Sequence, residues 1–295
     1  MNGPIPTARG TVLIENARVV ENHPVAQSQF RLLLESPRIA ARAQPGMFVH
    51  LSCDEGGRLK RPMSLLNAHE DCLEILYKVV GAGTQHLSTR PVGSCLNTMG
   101  PLGQPFAPDP EAPWIITIGG GTGIPPLIFL LERLRSSGAS SRLAFFGGSE
   151  LPFALEIQHR QTPFAGVPES ASASLHRLDQ LGIPAALASR GPIPGTYPGL
   201  VTELFASWIR QLPEPPRPGT QVFCCGPTAM MATVQSLAQN MHFGGALCLE
   251  ENMACAIGGC AGCTIPVTSS GGIAMKRVCV DGPVFPMGTV IFGPC

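Results

Sequence analysis

The sequence predicts an antiparallel β-barrel at residues 1–108, a parallel α/β domain at 109–245 and a small cysteine-rich module at 246–295. Three observations support this fold class. The first third consists of short strand-like segments separated by turns, residues from 114 onward alternate between strand and helix patterns, and four cysteines lie close together near the end. A chain of this length has room for about two domains with cores of their own.

The barrel is predicted from five segments with β-branched or alternating apolar residues, at 11–20, 29–35, 46–52, 73–80 and 94–99. No long helical period occurs before about residue 120, so no crossover helices separate these strands and antiparallel pairing is expected. The proline-rich segment 101–113 then serves as a linker.

The α/β domain is predicted from strands at 114–118, 142–146, 185–189 and 221–225. Apolar or amphipathic helical segments occur at 127–134, 200–212 and 228–240. Alternation of this kind is typical of a parallel sheet with helical crossovers.

Composition excludes several classes of protein. Twenty acidic and twenty basic residues cancel, so neither nucleic acid nor an anionic membrane is an expected partner. No apolar run reaches the ~18 residues of a membrane span without a Gly or Pro, and the 44% hydrophobic content excludes a disordered chain. The N-terminus does not resemble a secretion signal, so a reducing cytoplasmic location is expected.

The four C-terminal cysteines, Cys255, Cys260, Cys263 and Cys279, are spaced C-x4-C-x2-C with fifteen residues before the last. Three thiolates from one glycine-rich loop and a fourth from further along are typical of a plant-type [2Fe–2S] cluster. A zinc site is the alternative, although zinc ribbons usually use two separated C-x2-C hooks. Disulfides are a second alternative, which a reducing compartment disfavours. The spacing therefore indicates an electron-transfer protein.

Three further segments carry signals for phosphate or flavin binding. The strongest is the glycine loop at 119–123, which follows a buried strand and opens a helix, as phosphate-binding turns do; its alternative is a plain tight turn. Arg61 and Ser64 could hold a phosphate or mark a surface turn. The segment 77–84 ends a strand in glycines, and composition alone favours a β-hairpin bend there.

In this order the motifs resemble the ferredoxin–NADP reductase superfamily and, within it, the electron-transfer subunits of two-subunit, NAD-linked dihydroorotate dehydrogenases. The similarity runs over nearly the whole chain. The motifs shared across the superfamily are PGMFV at 45–49, RPMS at 61–64, VVGAGT at 79–84, GPLG at 100–103, the loop at 119–126 and CGP at 225–227. Those typical of the subfamily are LEENMAC at 249–255 and KRVC at 276–279, followed by DGPVF at 281–285.

The resemblance implies a role for each matching residue. The FAD-binding residues would be Arg61, Pro62, Met63, Ser64, Leu76, Tyr77, Lys78, Gly83 and Thr84. The nicotinamide dinucleotide would lie on Gly119, Gly120, Gly121, Thr122 and Gly123. Cys225, at the end of the last predicted α/β strand, would be the catalytic residue beside the nicotinamide and flavin, and the four cysteines would hold the cluster.

The resemblance also implies an order of electron transfer and a partner. A nicotinamide gives up two electrons as a hydride, whereas a [2Fe–2S] cluster accepts one, so a flavin must lie between them. The partner would be a catalytic, FMN-containing dehydrogenase subunit in a two-plus-two heterotetramer. Two alternatives remain: an NADPH-dependent reductase that serves another flavoprotein or a ferredoxin, and a non-enzymatic zinc or redox-sensing module.

One turn departs from the subfamily. Ser189 and Arg190 follow the third α/β strand, where the NAD-linked subunits tend to carry Thr and acidic residues. A Ser–Arg pair resembles the turn with which plant ferredoxin–NADP reductases bind the 2′-phosphate of NADP. The pair therefore leads to the hypothesis of an NADP(H) preference, and the alternative is a solvated surface arginine.

Overall fold

The structure, a computed structural model, describes residues 12–54, 60–161, 163–212, 216 and 218–293. Its N-terminal part is a seven-stranded antiparallel, barrel-like sheet in the order β4-β3-β7-β1-β2-β6-β5. The strands are β1 (Leu13–Ala26), β2 (Gln29–Glu35), β3 (Phe48–Ser52), β4 (Lys60–Ser64), β5 (Asn67–His69), β6 (Cys72–Lys78) and β7 (Cys95–Leu102). Two short helices, α1 (Pro37–Ala40) and α2 (Ala82–Ser88), connect them.

Alternating side chains of β2, β3 and β6 form the barrel core. Leu32 and Leu34 of β2 are fully buried, as are Leu73 and Ile75 of the neighbouring strand β6. The predicted bounds of β2 are confirmed. Strand β1 continues past residue 20, its predicted end, to Ala26, where a tight hairpin with Ser28 at φ 55° leads into β2. Residue 11, its predicted start, lies outside the described part of the chain.

Residues 114–248 provide eight more strands and four helices. The strands are β8 (Trp114–Gly120), β9 (Arg142–Gly148), β10 (Ile157–His159), β11 (Ala173–Leu175), β12 (Ala185–Ser189), β13 (Tyr197–Pro198), β14 (Gln221–Cys225) and β15 (Gly244–Cys248). The helices are α3 (Ile124–Ser136), α4 (His176–Asp179), α5 (Val201–Gln211) and α6 (Thr228–Asn240). None of the helices in the described ranges is long and apolar enough to cross a membrane.

The second large sheet has the order β13-β12-β9-β8-β14-β15-β18, with β16 (Thr264–Ser269), β17 (Gly272–Arg277) and β18 (Val284–Pro286) completing the chain. All its pairs are parallel except the last, in which β18 runs antiparallel to β15. The carboxyl ends of its parallel strands share one edge, where ligands bind in open α/β folds. The fold class predicted from the sequence is confirmed.

Strands β15 and β18 correct two expectations. The strand that ends at Cys225 is not the last of the sheet, because β15 lies beside it. The predicted boundary between residues 245 and 246 falls inside β15, and β18 returns to the same sheet from the cysteine-rich segment. Strand β15 is hard to predict from the sequence because it begins with two glycines, which are poor strand formers.

A charged network joins the barrel to the α/β domain. Glu74 of β6 is 3% exposed, and it accepts hydrogen bonds from Arg31 Nε at 2.7 Å and Arg177 Nη1 at 3.0 Å. Arg177 also pairs with Glu132 of α3. Burial alone would raise the pKa of Glu74, but the two guanidinium groups outweigh it and lower the pKa below its ordinary value. Breaking one contact would therefore leave a buried charge uncompensated.

Candidate functional site

Arg61 lies directly against the first turn of α2. A Cβ atom added to Gly83 would lie 3.0 Å from Arg61 Nε, so any larger residue would push the guanidinium away from this turn. The Thr84 hydroxyl accepts a hydrogen bond from the Val80 N–H at 2.9 Å and donates to the Gly81 carbonyl at 3.1 Å, which fixes the turn. The structure thus brings together three residues predicted to bind FAD. The hairpin bend favoured by composition is wrong, because β6 leads into a helix.

The remaining residues of β4 divide between its two faces. Met63 is buried in the barrel core with Val49, its partner in β3. Pro62 and Ser64 lie on the opposite face, opposite His50 and Phe48. The sequence did not predict this strand, because a proline interrupts its pattern; β4 lies at the edge of the sheet, where proline is tolerated.

Leu76 and Tyr77 reach the wall of a cleft between the barrel and the α/β domain. The Tyr77 hydroxyl donates to Asn22 Oδ1 at 2.9 Å, and its ring stacks on Phe30. Burial raises the pKa of Tyr77. Because its hydroxyl is already bonded within the barrel, Tyr77 contributes a wall to the cleft. Lys78 ends the same strand and is only partly buried.

The glycine loop forms the facing wall of this cleft. Gly121 has φ 54°, and the next residues turn into α3. A Cβ atom on Gly123 would lie 2.3 Å from the carbonyl carbon and oxygen of Cys225, so the loop lies against the end of β14. Gly120 is less constrained, because the atom nearest to its added Cβ is the side-chain Sδ of Met230 at 2.7 Å. Because these glycines have no side chains, the backbone N–H groups of the loop are accessible. A pyrophosphate can accept hydrogen bonds from such groups.

The cleft itself has about 410 Å³ of empty space, partly open to solvent. Leu76 and Tyr77 line it from the barrel, and Gly121 and Thr122 line it from the α/β domain. The residues predicted to bind flavin and those predicted to bind the nicotinamide nucleotide therefore meet across one opening. Arg61 beside Gly83 and the bare backbone of the glycine loop are the groups that would hold the phosphates of FAD and of a nucleotide.

Cys225 lies beneath the glycine loop and is fully buried. Its thiol shares a hydrogen bond with Cys248 of β15, and that bond, followed by burial, raises the pKa of Cys225 well above its ordinary value. Cys225 is therefore a neutral thiol. Its position at the end of β14, level with Gly119 of β8, agrees with a place near the reacting rings.

Glu250 is a site residue to which the sequence analysis gave no role. It follows β15, and its Oε2 accepts a hydrogen bond from Thr122 Oγ1 at 3.2 Å. Glu250 is exposed at the surface. The protein around its carboxylate nevertheless desolvates it and raises its pKa, which the Thr122 bond only partly opposes. The two residues are 128 positions apart, so the contact carries no local sequence signal.

The four predicted cluster ligands form two pairs. The Cys260 N–H donates to Cys255 Sγ at 3.4 Å, and the Cys279 N–H donates to Cys263 Sγ at 3.5 Å. In the described ranges, no three Cys, His, Asp or Glu side chains converge as one metal ion requires. The assignment of these four thiols to a [2Fe–2S] cluster therefore rests on their spacing in the sequence.

The loop that carries these thiols is ordered by its own backbone. Burial opposes ionisation of Cys255, but N–H donors from Ile257, Cys260 and Gly259 outweigh it and lower the pKa of Cys255 to about 7. Arg277 ties the loop to the segment of the fourth ligand. Its Nη1 donates to the Gly258 carbonyl at 3.2 Å, and its Nε donates to Asp281 at 3.3 Å.

Ser189 and Arg190 lie at the same edge of the sheet, after β12. Ser189 is buried, and its hydroxyl accepts a hydrogen bond from the Gly191 N–H at 3.0 Å. Arg190 forms an exposed ion pair with Glu150, which follows β9. Both residues predicted to read a 2′-phosphate therefore already have partners within the protein.

Comparison with known proteins identifies similar chains over nearly the full length. Residues 250–291 match the family model described as the iron-sulfur cluster binding domain of dihydroorotate dehydrogenase B. A protein of Shouchella clausii is 30% identical over 282 residues, which cover 92% of this chain and 96% of that protein. One of Caldanaerobacter subterraneus subsp. tengcongensis is 30% identical over 276 residues, covering 94% and 98%. Both are named dihydroorotate dehydrogenase B (NAD(+)), electron transfer subunit.

Solved structures share the fold. The NADH-dependent reduced ferredoxin-NADP oxidoreductase aligns with a TM-score of 0.73 at 24% identity, over 94% of this chain and 90% of that one. Phthalate dioxygenase reductase aligns with a TM-score of 0.55 at 17% identity, over 92% and 78%. At these identities the likeness concerns architecture alone.

Proposed function

The chain belongs to the family of electron transfer subunits of dihydroorotate dehydrogenase B, and from that membership we propose that it relays electrons between NAD(H), FAD and a [2Fe–2S] cluster. Electrons pass to or from a separate catalytic flavoprotein, the dihydroorotate dehydrogenase of pyrimidine biosynthesis. One observation carries the proposal. Gly121 and Thr122 face Leu76 and Tyr77 across a single cleft, while the cluster segment is joined through β18 to the same sheet.

FAD, when bound, supplies the chemistry that takes up a hydride and releases electrons one at a time. The protein positions and shields the cofactors. Arg61 offers its guanidinium to a phosphate beside the bare backbone of Gly83. Gly121 and Gly123 let the nucleotide approach the end of β14, and Tyr77 closes the barrel side of the cleft.

Two side chains near the ends of β14 and β15 lie next to the glycine loop. Glu250 accepts a hydrogen bond from Thr122 and so fixes that side chain at the loop. Cys225 stays a thiol because burial and Cys248 oppose its ionisation. We assign Cys225 the predicted place beside the reacting rings, as a neutral contact group without nucleophilic character.

The catalytic partner is proposed to be an FMN-containing subunit in a two-plus-two heterotetramer in the cytoplasm. Electrons must leave through the cluster, so the contact surface is proposed to surround the cluster loop. Ile257 in that loop is 57% exposed, so the loop presents an apolar side chain at this surface.

The nucleotide is proposed to be NAD(H), and the NADP(H) preference stays a prediction that Glu150 opposes. Its carboxylate neutralises Arg190 and would repel a 2′-phosphate. If Arg190 can read that phosphate, Glu150→Gln should raise the ratio of kcat/KM for NADPH over NADH by about 2–5-fold, the range of an exposed ion pair. Ser189→Asp with Arg190→Gly should lower the ratio. Unchanged ratios in both variants would remove Arg190 and Ser189 from the nucleotide site.

The function is tested by capturing the full-length protein with its partner from native extract and reducing the complex anaerobically. Bleaching of flavin and cluster absorbance by NADH, together with an FMN-containing dihydroorotate dehydrogenase in the complex, is the expected result. Recovery of a ferredoxin or another flavoprotein would keep the cofactors but reject the pyrimidine pathway. A purified protein without flavin or iron would reject the proposal altogether.

A further inference from the structure

Gln104, two residues after β7, joins the barrel to the segment that follows the fourth predicted cluster ligand. Its backbone N–H donates to the Gly282 carbonyl at 2.6 Å, and its side-chain Nε2 donates to the Val280 carbonyl at 3.1 Å. Gln104 also forms a parallel β-bridge with Pro283. One residue at the end of the barrel therefore holds a run of chain that begins immediately after Cys279.

The backbone around this contact is closely packed. Gly103 has φ 81°, and a Cβ atom added to it would lie 2.3 Å from Pro283 Cδ and 2.9 Å from the Gly282 carbonyl oxygen. Gly46, before β3, has φ 92°, and its added Cβ would lie 2.9 Å from Val284 Cγ2. The barrel and the segment after the cluster ligand are thus in direct contact, so a shift of this segment changes its position relative to the barrel.

The same junction connects the proposed flavin strand with the buried cluster thiols. Phe48 of β3 pairs with Ser64 of β4, which is predicted to bind FAD. Phe48 also belongs to the apolar core that contains Cys279, and its Cε1 lies 3.2 Å from the position of a Cβ atom added to Gly103. The contacts of Gln104 therefore lie where the position of the cluster relative to the flavin is determined.

We propose that Gln104 is a positioning residue for electron transfer, because its side-chain bond to Val280 fixes the distance between the bound flavin and the [2Fe–2S] cluster. This inference rests on the proposed function, since it requires both cofactors. One electron passes from the flavin, which is oxidised, to the cluster, which is reduced, and no bond to Gln104 forms or breaks. The rate of electron tunnelling falls steeply with the distance between two redox centres, so Gln104 acts through geometry alone.

The test measures electron exchange between flavin and cluster in the full-length protein with both cofactors bound. A laser flash with a deazaflavin donor injects one electron, and the absorbance of the two cofactors follows its redistribution. In Gln104→Met, which keeps the backbone N–H but lacks the amide, the exchange rate should fall at least about threefold, since small misplacements of reacting groups have effects of this size. The rate of flavin reduction by NADH should stay unchanged, because Gln104 does not line the cleft.

Gln235→Met is the matched control. The Nε2 of Gln235, in α6, donates to the Val290 carbonyl at 2.9 Å, and its Oε1 accepts the Gly288 N–H at 3.1 Å. This side chain ties the end of the chain to the α/β domain in the same way as Gln104 ties the cluster segment to the barrel. Its loss leaves the barrel junction intact, so the exchange rate should equal that of the natural protein.

A second readout does not depend on electron transfer. Backbone amide hydrogen exchange, measured by mass spectrometry on peptides that cover residues 279–285, should be faster in Gln104→Met and unchanged in Gln235→Met. Redox titration should give the same flavin and cluster potentials in both variants and in the natural protein. A slower rate is then due to distance and not to driving force.

An unchanged exchange rate in Gln104→Met would overturn the inference. So would an equal decrease in Gln235→Met, or a decrease that a shift in potential explains. If Gln104→Met loses its cluster, Gln104→Asn is measured in the same way. Its shorter amide cannot reach Val280 unless the segment moves, so an unchanged rate there also contradicts the inference. A natural protein in which no electron passes between flavin and cluster would instead reject the proposed function.

Discussion

At His50, burial and two cations act on the pKa in the same direction. Burial is the larger effect, Lys60 and Arg61 add to it, and the pKa of the imidazole falls to about 4 in the FAD-free protein. In the unfolded chain the group has its ordinary value of about 6.5. Between these values the unfolded chain binds a proton that the folded protein does not, so stability decreases as the pH falls.

This linkage predicts a pH-dependent stability difference. The natural FAD-free protein should lose about 2 kcal/mol through His50 between pH 7.5 and pH 5. His50→Asn lacks the titrating group, so its loss of stability between the two pH values should be smaller by that amount. Chemical denaturation of both proteins at the two pH values measures the difference, and parallel pH profiles would show that the ring is not protected from protonation.

At the residue scale, a sequence signal exists where chemistry is encoded by spacing. The four cysteines are recognisable because three lie within nine positions, and backbone N–H groups link them two by two, Cys260 to Cys255 and Cys279 to Cys263. Glu250 and His50 gave no such signal. Glu250 contacts Thr122, and His50 lies near Met253; both neighbours are distant in sequence.

At the scale of single elements, the turn from β8 into α3 is the most tightly constrained. Gly123→Ala would place a methyl group 2.3 Å from the Cys225 backbone, which cannot move aside as a side chain can. We expect a loss of about 1–3 kcal/mol in stability and a KM for NADH raised at least about tenfold, a change of roughly 1.4 kcal/mol in binding. Thermal melting and steady-state kinetics measure the two effects.

Gly244→Ala at the start of β15 is the matched control. No heavy atom lies within 4 Å of its added Cβ and its φ is not left-handed, so both readouts should stay near those of the natural protein. Equal behaviour of the two variants would mean that the turn can relax and that Gly123 is not required.

The cluster loop makes a separate prediction. Arg277→Met removes the bond to the Gly258 carbonyl and a positive charge beside the thiols. The cluster potential should fall by roughly 20–60 mV, since about 59 mV is tenfold in a one-electron equilibrium, and a chelator should remove iron faster. Arg277→Lys keeps the charge. It should therefore preserve the cluster potential more fully than it preserves the order of the loop. Redox titration followed by electron paramagnetic resonance tests this, and a potential that rises in Arg277→Met contradicts it.

Elements with strong apolar patterns were predicted with their observed bounds, as for β2, β12, β14 and α6. Short strands were missed for identifiable reasons. Strand β4 contains a proline, β13 has only two residues, and β18 is defined by pairing with β15 rather than by its own pattern. Tertiary contacts, rather than local propensity, determine whether such segments form strands.

At the scale of the whole molecule, the Glu74 network sets how the barrel and the α/β domain meet. Arg177→Met would leave Glu74 buried with one partner fewer, and we expect a loss of about 2–4 kcal/mol in stability. Glu74→Gln in the same protein should recover part of that loss, because the uncompensated charge is gone. Denaturation of the single and double variants measures the coupling.

An exposed pair provides the comparison. Arg18→Met breaks the ion pair with Glu35, whose side chains are 51% and 41% exposed, and should lower the stability much less than Arg177→Met does. If Arg177→Met costs no more than Arg18→Met, the network does not hold the two domains together.

The return of β18 to the sheet also has a consequence for biosynthesis. The nascent chain reaches all four cluster cysteines before it reaches Val284–Pro286, which cover the outer edge of β15. Until residue 286 leaves the ribosome, that edge is open, and the Gly282 carbonyl that accepts the Gln104 N–H is also missing or untethered. Because Cys279 and β18 lie so close in sequence, they leave the ribosome together, and a released chain truncated before residue 284 should carry an α/β domain that proteases still attack at the open edge of β15.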